Sequence, residues 1–206
     1  MSELFSIQLQ NRQQQGGDGV WLDLPTTTEQ VQVALRQIGI SSDNPQGLFI
    51  SGYFAEEEKR FAIPYNMVLA SNVDELNFLA SRLETLSTGE RTELNAALQA
   101  PQSELFSIGR ITDFPENVDY YVHLPDVHGP AQLGDYYLNR SGMVDMPEEW
   151  KGGIDTAQFG RYVAQQEQGV FTEYGYLVKS GDAWQKVHEG QPVPEEYRVL
   201  SFPAPE

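Results

Sequence analysis

Residues 4–39 read LFSIQLQNRQQQGGDGVWLDLPTTTEQVQVALRQIG, and a change of apolar period inside this run decides the fold class. Phe5, Ile7 and Leu9 recur at period two, which places three side chains on one face of a strand. The turn formers from Gln13 to Gly19 follow, and Val20, Trp21, Leu22 and Leu24 return as a second strand, closing a hairpin that Pro25 stops. The period then becomes helical. Val31, Leu35 and Ile38 share one face, Thr26 and Glu29 have capping-box spacing, and Gly39 stands where a C-terminal cap belongs. Hairpin followed by helix predicts an α+β unit.

Working outward, Leu48, Phe49, Ile50, Tyr53 and Phe54 predict a third strand, closed by the charged tip Glu56, Glu57, Glu58, Lys59 and Arg60. Residues 1–66 therefore form an N-terminal α+β unit. Val73, Leu76, Leu79, Ala80 and Leu83 then predict a helix, and Leu94, Ala97 and Leu98 a second one over 90–98, joined at Ser87, Thr88 and Gly89. These make a helical middle unit over 67–110. Asp74 and Glu75 suit either the positive end of the first helix or a displayed surface. Leu105, Phe106, Ile108 and Ile111 read as a strand or as a boundary segment.

Residues 111–180 make an acidic C-terminal α+β unit. A strand is expected over Val118–Leu124, helices over Ala131–Asn139 and Pro147–Trp150, and a final strand over Phe171–Val178. Residues 181–206, with Pro192, Pro194, Pro203 and Pro205, read as an irregular, partly mobile extension.

Charge points to function more directly than any motif. The 206-residue chain has a formal net charge of −17, and its 40% hydrophobic content suffices for a packed core. Residues 113–155 concentrate the imbalance, with Asp113, Glu116, Asp119, Asp126, Asp135, Asp145, Glu148, Glu149 and Asp155 set against Arg140 and Lys151. A nucleic-acid reader draws its affinity from Lys and Arg on phosphates, so this balance argues against direct nucleic-acid binding. It suits a protein that binds where DNA would bind.

Other chemistry finds little support. Cysteine is absent, which removes disulfides, thiolates and Cys-based zinc sites. His123, Asp126 and His128 could ligate a metal, but Pro125 interrupts them and their spacing matches no helical metal motif, so no metal or other cofactor is expected. GGDG and KGG lack a phosphate-cradle context, and no Gly-x-Ser-x-Gly elbow occurs, so catalysis is not expected. MSELFSIQLQNRQQQ lacks a basic region followed by an apolar run, and no stretch approaches roughly 18 apolar residues, so a cytoplasmic protein without membrane contact is expected.

The succession GVWLDLP, VDELNFLASRLETLS, DYY, LGDYYLNRSG, IDTAQFGR and GVFTEYGYLV resembles the ArdA family of antirestriction proteins over about residues 3–180. The resemblance implies an elongated molecule of three small units, usually a homodimer, encoded on mobile genetic elements. It further implies mimicry of B-form DNA, competing for the DNA-binding groove of type I restriction-modification enzymes. The phosphate-mimicking acids would be the nine of residues 113–155 together with Glu56, Glu57 and Glu58. Tyr162 departs from the acid expected after Gly160 and Arg161, and the glutamines near Gln13 read as a local insertion. The alternatives are an acidic interaction module for another basic partner, or a metal-dependent hydrolase built on His123, Asp126 and His128.

Overall fold

The computed structural model describes residues 4–14, 17–56, 60–101 and 103–205. It is α+β, with helices and two three-stranded antiparallel sheets divided between two compact units. The first unit takes its residues from Met1–Leu86, Leu105–Glu116 and Lys186–Glu206, and the second from Ser87–Glu104 and Asn117–Gln185. These memberships cross the boundaries expected at 66, 110 and 180.

In the first unit, β1 (Phe5–Asn11) lies between β2 (Val20–Leu24) and β3 (Leu48–Phe54). The hairpin register pairs Ile7 with Leu22 and Phe5 with Leu24, so alternation sends Phe5, Ile7, Leu9, Leu22 and Leu24 into the core. Helix α1 (Thr28–Gln37) buries Val31, Ala34 and Leu35. Its capping box uses Thr27 and Gln30, one residue beyond the expected Thr26 and Glu29. Thr26 is instead buried, with its amide N–H donating to Asn77 Oδ1 at 2.7 Å and its hydroxyl to Gln30 Oε1 at 2.9 Å. Gly39 follows the cap Ile38 at φ +65°, the left-handed conformation expected of it.

A short helix α2 (Tyr65–Leu69) leads into α3 (Val73–Glu84), which buries Leu76, Leu79, Ala80 and Leu83. The capping box of α3 joins Asn72 and Glu75. Helix α4 (Thr88–Gln99), capped by Ser87 and Glu90, belongs to the second unit. Residues Ile108–Thr112 form helix α5 rather than a strand, with Ser107 as the N-cap. The strand reading rested on a short apolar run, which a buried single-turn helix satisfies equally well.

The segment 186–205 is irregular but packed. Beyond the 3₁₀ turn Glu195–Tyr197, it is held by side chains of the first unit. Phe78 lies 4.9 Å from the ring of His188 and 4.7 Å from that of Tyr197, Val199 is buried, and Asn77 Nδ2 donates to the Tyr197 carbonyl at 3.0 Å.

In the second unit, β6 (Gly175–Lys179) runs between β4 (Tyr121–Leu124) and β5 (Val170–Thr172). The single strand expected over Phe171–Val178 is thus a hairpin, turned at Gly175 with φ +118°. Helix α6 (Pro130–Asp135) continues into a π-helical turn over Tyr136–Arg140, α7 spans Glu148–Lys151, and α8 spans Thr156–Glu167. The α6–α8 crossing is a backbone contact. A Cβ on Gly134 would lie 1.9 Å from the Thr156 carbonyl oxygen, and one on Gly160 would lie 1.8 Å from that of Pro130. Only glycine allows that approach. The crossing supports a core of Val127, Leu133 and Tyr176, against which Tyr137, Val163, Ala164 and Phe171 pack. No helix among the described residues is long and apolar enough to cross a membrane.

Candidate functional site

The twelve acids expected to act together occupy different environments. Asp113 is a correction, because it is 0% exposed and displays no charge. It follows α5, and its carboxylate accepts from the amide N–H groups of Val187 at 3.2 Å, His188 at 2.6 Å and Glu189 at 3.2 Å. The charge-assisted bonds replace the water lost on burial. Asp74 plays a similar part at the other end of the segment, its Oδ1 accepting from Val199 and Leu200 at 2.7 Å each. The two carboxylates clamp residues 187–200 to the first unit.

Other acids of the set are paired or used as caps. Half-buried Glu116 forms an ion pair with Arg82 of α3. Asp135 accepts from Asn139 at 2.8 Å and Arg140 at 3.0 Å, and Glu148 meets Lys151 at 2.9 Å. The two cations of the acidic run are therefore spent on local acids, in surface pairs worth about 0.2–1 kcal/mol. Asp155 is exposed and caps α8, accepting from Ala157 at 2.9 Å and Gln158 at 3.0 Å. Such a cap stabilises a helix by about 1 kcal/mol while keeping its charge at the surface.

Four acids of this run remain simply displayed. Asp119, Asp126, Asp145 and Glu149 are exposed and form no ion pair among the described residues. Glu56 is also exposed beyond β3, whereas Glu57 and Glu58 lie outside the described residues.

The structure adds two acids not among the twelve: Glu90 and Glu93 stand one turn apart on α4, with Glu93 within electrostatic reach of Asp119. Burial, followed by repulsion from Glu90 and Asp119, pushes the Glu93 carboxyl up from 4.5 to about 8. At neutral pH this trio therefore presents less than its formal charge. The i, i+3 spacing of the two glutamates signalled their proximity, but the approach of Asp119 is tertiary. Glu167 is likewise an internal acceptor, taking hydroxyl bonds from Tyr137 and from Tyr176, the latter at 2.9 Å.

The His123, Asp126 and His128 set does not assemble into a metal centre. His123 Nε2–H donates to the Tyr174 carbonyl at 2.8 Å, while Asp126 and His128 face solvent. Among the described residues no group of three His, Asp or Glu side chains is arranged to hold a metal.

What the second unit offers is an acid-rich surface carried on a scaffold whose defining contact is the Gly134–Gly160 crossing, and both glycines lie in the segments that suggested a family. Residues 17–178 match the family description Antirestriction protein (ArdA). The chain belongs to the ArdA family. Antirestriction activity, and interaction with restriction enzymes, follow from that membership. A search of curated proteins found no match. The clamped segment 187–200 lies beyond the part matched to ArdA.

Proposed function

We propose that this ArdA protein mimics B-form DNA and competes for the DNA-binding groove of a type I restriction-modification enzyme, acting as a homodimer without catalysis or a cofactor. The observation that carries this reading is the exposure of Asp119, Asp126, Asp145 and Glu149 without an ion-pair partner among the described residues, in a chain of net charge −17. Duplex DNA presents about one charge per 1.7 Å of axis, so a series of exposed carboxylates can stand in for phosphates by charge without any base chemistry. Asp155, exposed at the start of α8, adds charge to the second unit, whereas Asp135 and Glu148 are neutralised locally by Arg140 and Lys151. Met143, Trp150 and Tyr162 are exposed large side chains of the C-terminal region and support the homodimer. An elongated arrangement of small units belongs to this reading, and small-angle scattering measures it. The cytoplasm, where restriction enzymes meet incoming DNA, is the compartment it requires.

The test is competition with duplex DNA for a purified type I enzyme over a salt series. Inhibition should weaken steeply as salt rises, because screening acts on extended charged surfaces. A variant carrying Asp119→Asn, Asp126→Asn, Asp145→Asn and Glu149→Gln should lose inhibition while remaining folded. An inhibition constant unchanged by both salt and these substitutions would refute mimicry.

A further inference from the structure

Helices lie beside both outer strands of the first sheet, α2 by β3 and α1 by β2, and the second pair leaves a groove between strand and helix. Beside β3, helix α2 packs closely and Tyr65 donates its hydroxyl to the Ser51 carbonyl at 3.1 Å. At the opposite edge, β2 pairs only with β1 among the described residues. Edge strands are commonly protected by charge, proline or a bulge, and the five residues VWLDL carry one acid, Asp23, with no lysine or proline inside the strand and an unbroken register against β1. Alongside β2, between it and α1, runs a groove of about 340 Å³. Its lining includes Trp21, Ala34, Gln37 and Val33, which is 52% exposed, with Asp23 and Glu29 supplying negative charge and no cation among the described lining residues. Asp23 is oriented by the Ser6 hydroxyl, which donates to its Oδ1 at 2.8 Å.

We infer that β2 and the exposed side of α1 form a docking groove for an extended peptide segment of a partner protein, carrying arginine or lysine at alternate positions. The open edge would receive a fourth strand through backbone hydrogen bonds, the mode in which the main chain supplies affinity and alternate side chains supply specificity. Every second residue of that strand points to the same side, so basic side chains on one side would meet Asp23 while apolar ones on the other rest on Val33 and Ala34. This contact differs in kind from phosphate mimicry and does not depend on it. Charge mimicry needs no backbone register, whereas strand addition requires one.

The probe is a fluorescein-labelled octapeptide alternating valine and arginine, titrated against the full chain with anisotropy as readout. Saturable binding is expected, with amide chemical-shift changes centred on residues 20–24. N-methylation at every second peptide residue, tried in both frames, should weaken binding at least tenfold in one frame. Val33→Lys and Gln37→Lys, both at exposed positions, should each weaken it at least tenfold with the melting temperature unchanged. Glu196→Gln, an exposed acid outside the groove, should change it less than twofold. The fourfold amide variant of the second unit should retain peptide binding even where it loses inhibition, which separates failure of this inference from failure of mimicry. Equal binding by both N-methylated peptides, indifference to Val33→Lys, or absence of saturable binding would each overturn it.

Discussion

Asp113 and Asp126 lie in one acidic run and carry the same side chain, yet they have opposite physical roles. The first is sealed in the first unit and satisfied by three backbone amides, whereas the second stands in solvent on the second unit. Formal charge in the sequence therefore overstates displayed charge. An acid placed beside unpaired amide groups is consumed by them, and an acid on a loop over a packed core is not. The first unit uses carboxylates to hold backbone, while the second carries them on a framework fixed by glycine contact.

The sharpest way to break this comparison is Asp113→Leu. Removing a buried carboxylate and leaving three amides without acceptors should cost about 3–5 kcal/mol, read by denaturant unfolding of the full chain. Asp126→Asn should change stability by less than about 0.5 kcal/mol. Similar losses from the two substitutions would erase the distinction.

Gly160→Ala tests the framework of the second unit. The added methyl would overlap the Pro130 carbonyl oxygen, so the helices must separate at a cost of about 3 kcal/mol. Gly152→Ala, with nothing within 4 Å of its Cβ, should leave the unfolding midpoint nearly unchanged. Equal tolerance of both would show that α6 and α8 do not depend on close approach.

A smaller effect should appear at Glu93. Its folded-state carboxyl holds a proton to about pH 8 against an ordinary value of 4.5, so the unfolded chain ionises first as pH rises. Stability is then lost between about pH 4.5 and pH 8, and Glu93→Gln should recover it. Allowing for the partial exposure of this side chain, the gain at pH 8.5 should be about 1–2 kcal/mol and should vanish near pH 4. Thermal melts of parent and variant at the two pH values decide the sign. A gain independent of pH would point to packing instead of ionisation.

The parts of this molecule governed by local periodicity were legible in the sequence. The β1–β2 hairpin followed from alternation, the buried face of α1 from Val31, Leu35 and Ile38, and the end of α1 from Gly39. The α4 cap was within reach, since Ser87 and Glu90 have capping-box spacing. Helix α8 leaves a weak trace in the sequence despite its Asp155 cap, because an acid in an acidic run reads equally well as surface charge and the apolar face of α8 is only half-buried. Residues 186–205 escaped for a different reason. They are bound through main-chain N–H groups and a few rings, and neither leaves a periodic trace. The fates of Asp113 and Glu93 were illegible for the same cause, since each depends on groups brought near only by folding.

The clamping of His188 by Asp113 and of Val199 by Asp74 also sets an order of events during synthesis. Domains commonly fold as they leave the ribosome, the amino-terminal one first. Here the first unit is begun by the earliest residues but lacks its last bonds until the chain beyond Lys186 has emerged, by which time the second unit has been fully translated. Of the two units, the first is thus completed only after the residues of the second have been translated, and a chain stalled before Lys186 would leave the Asp113 carboxylate without its backbone donors.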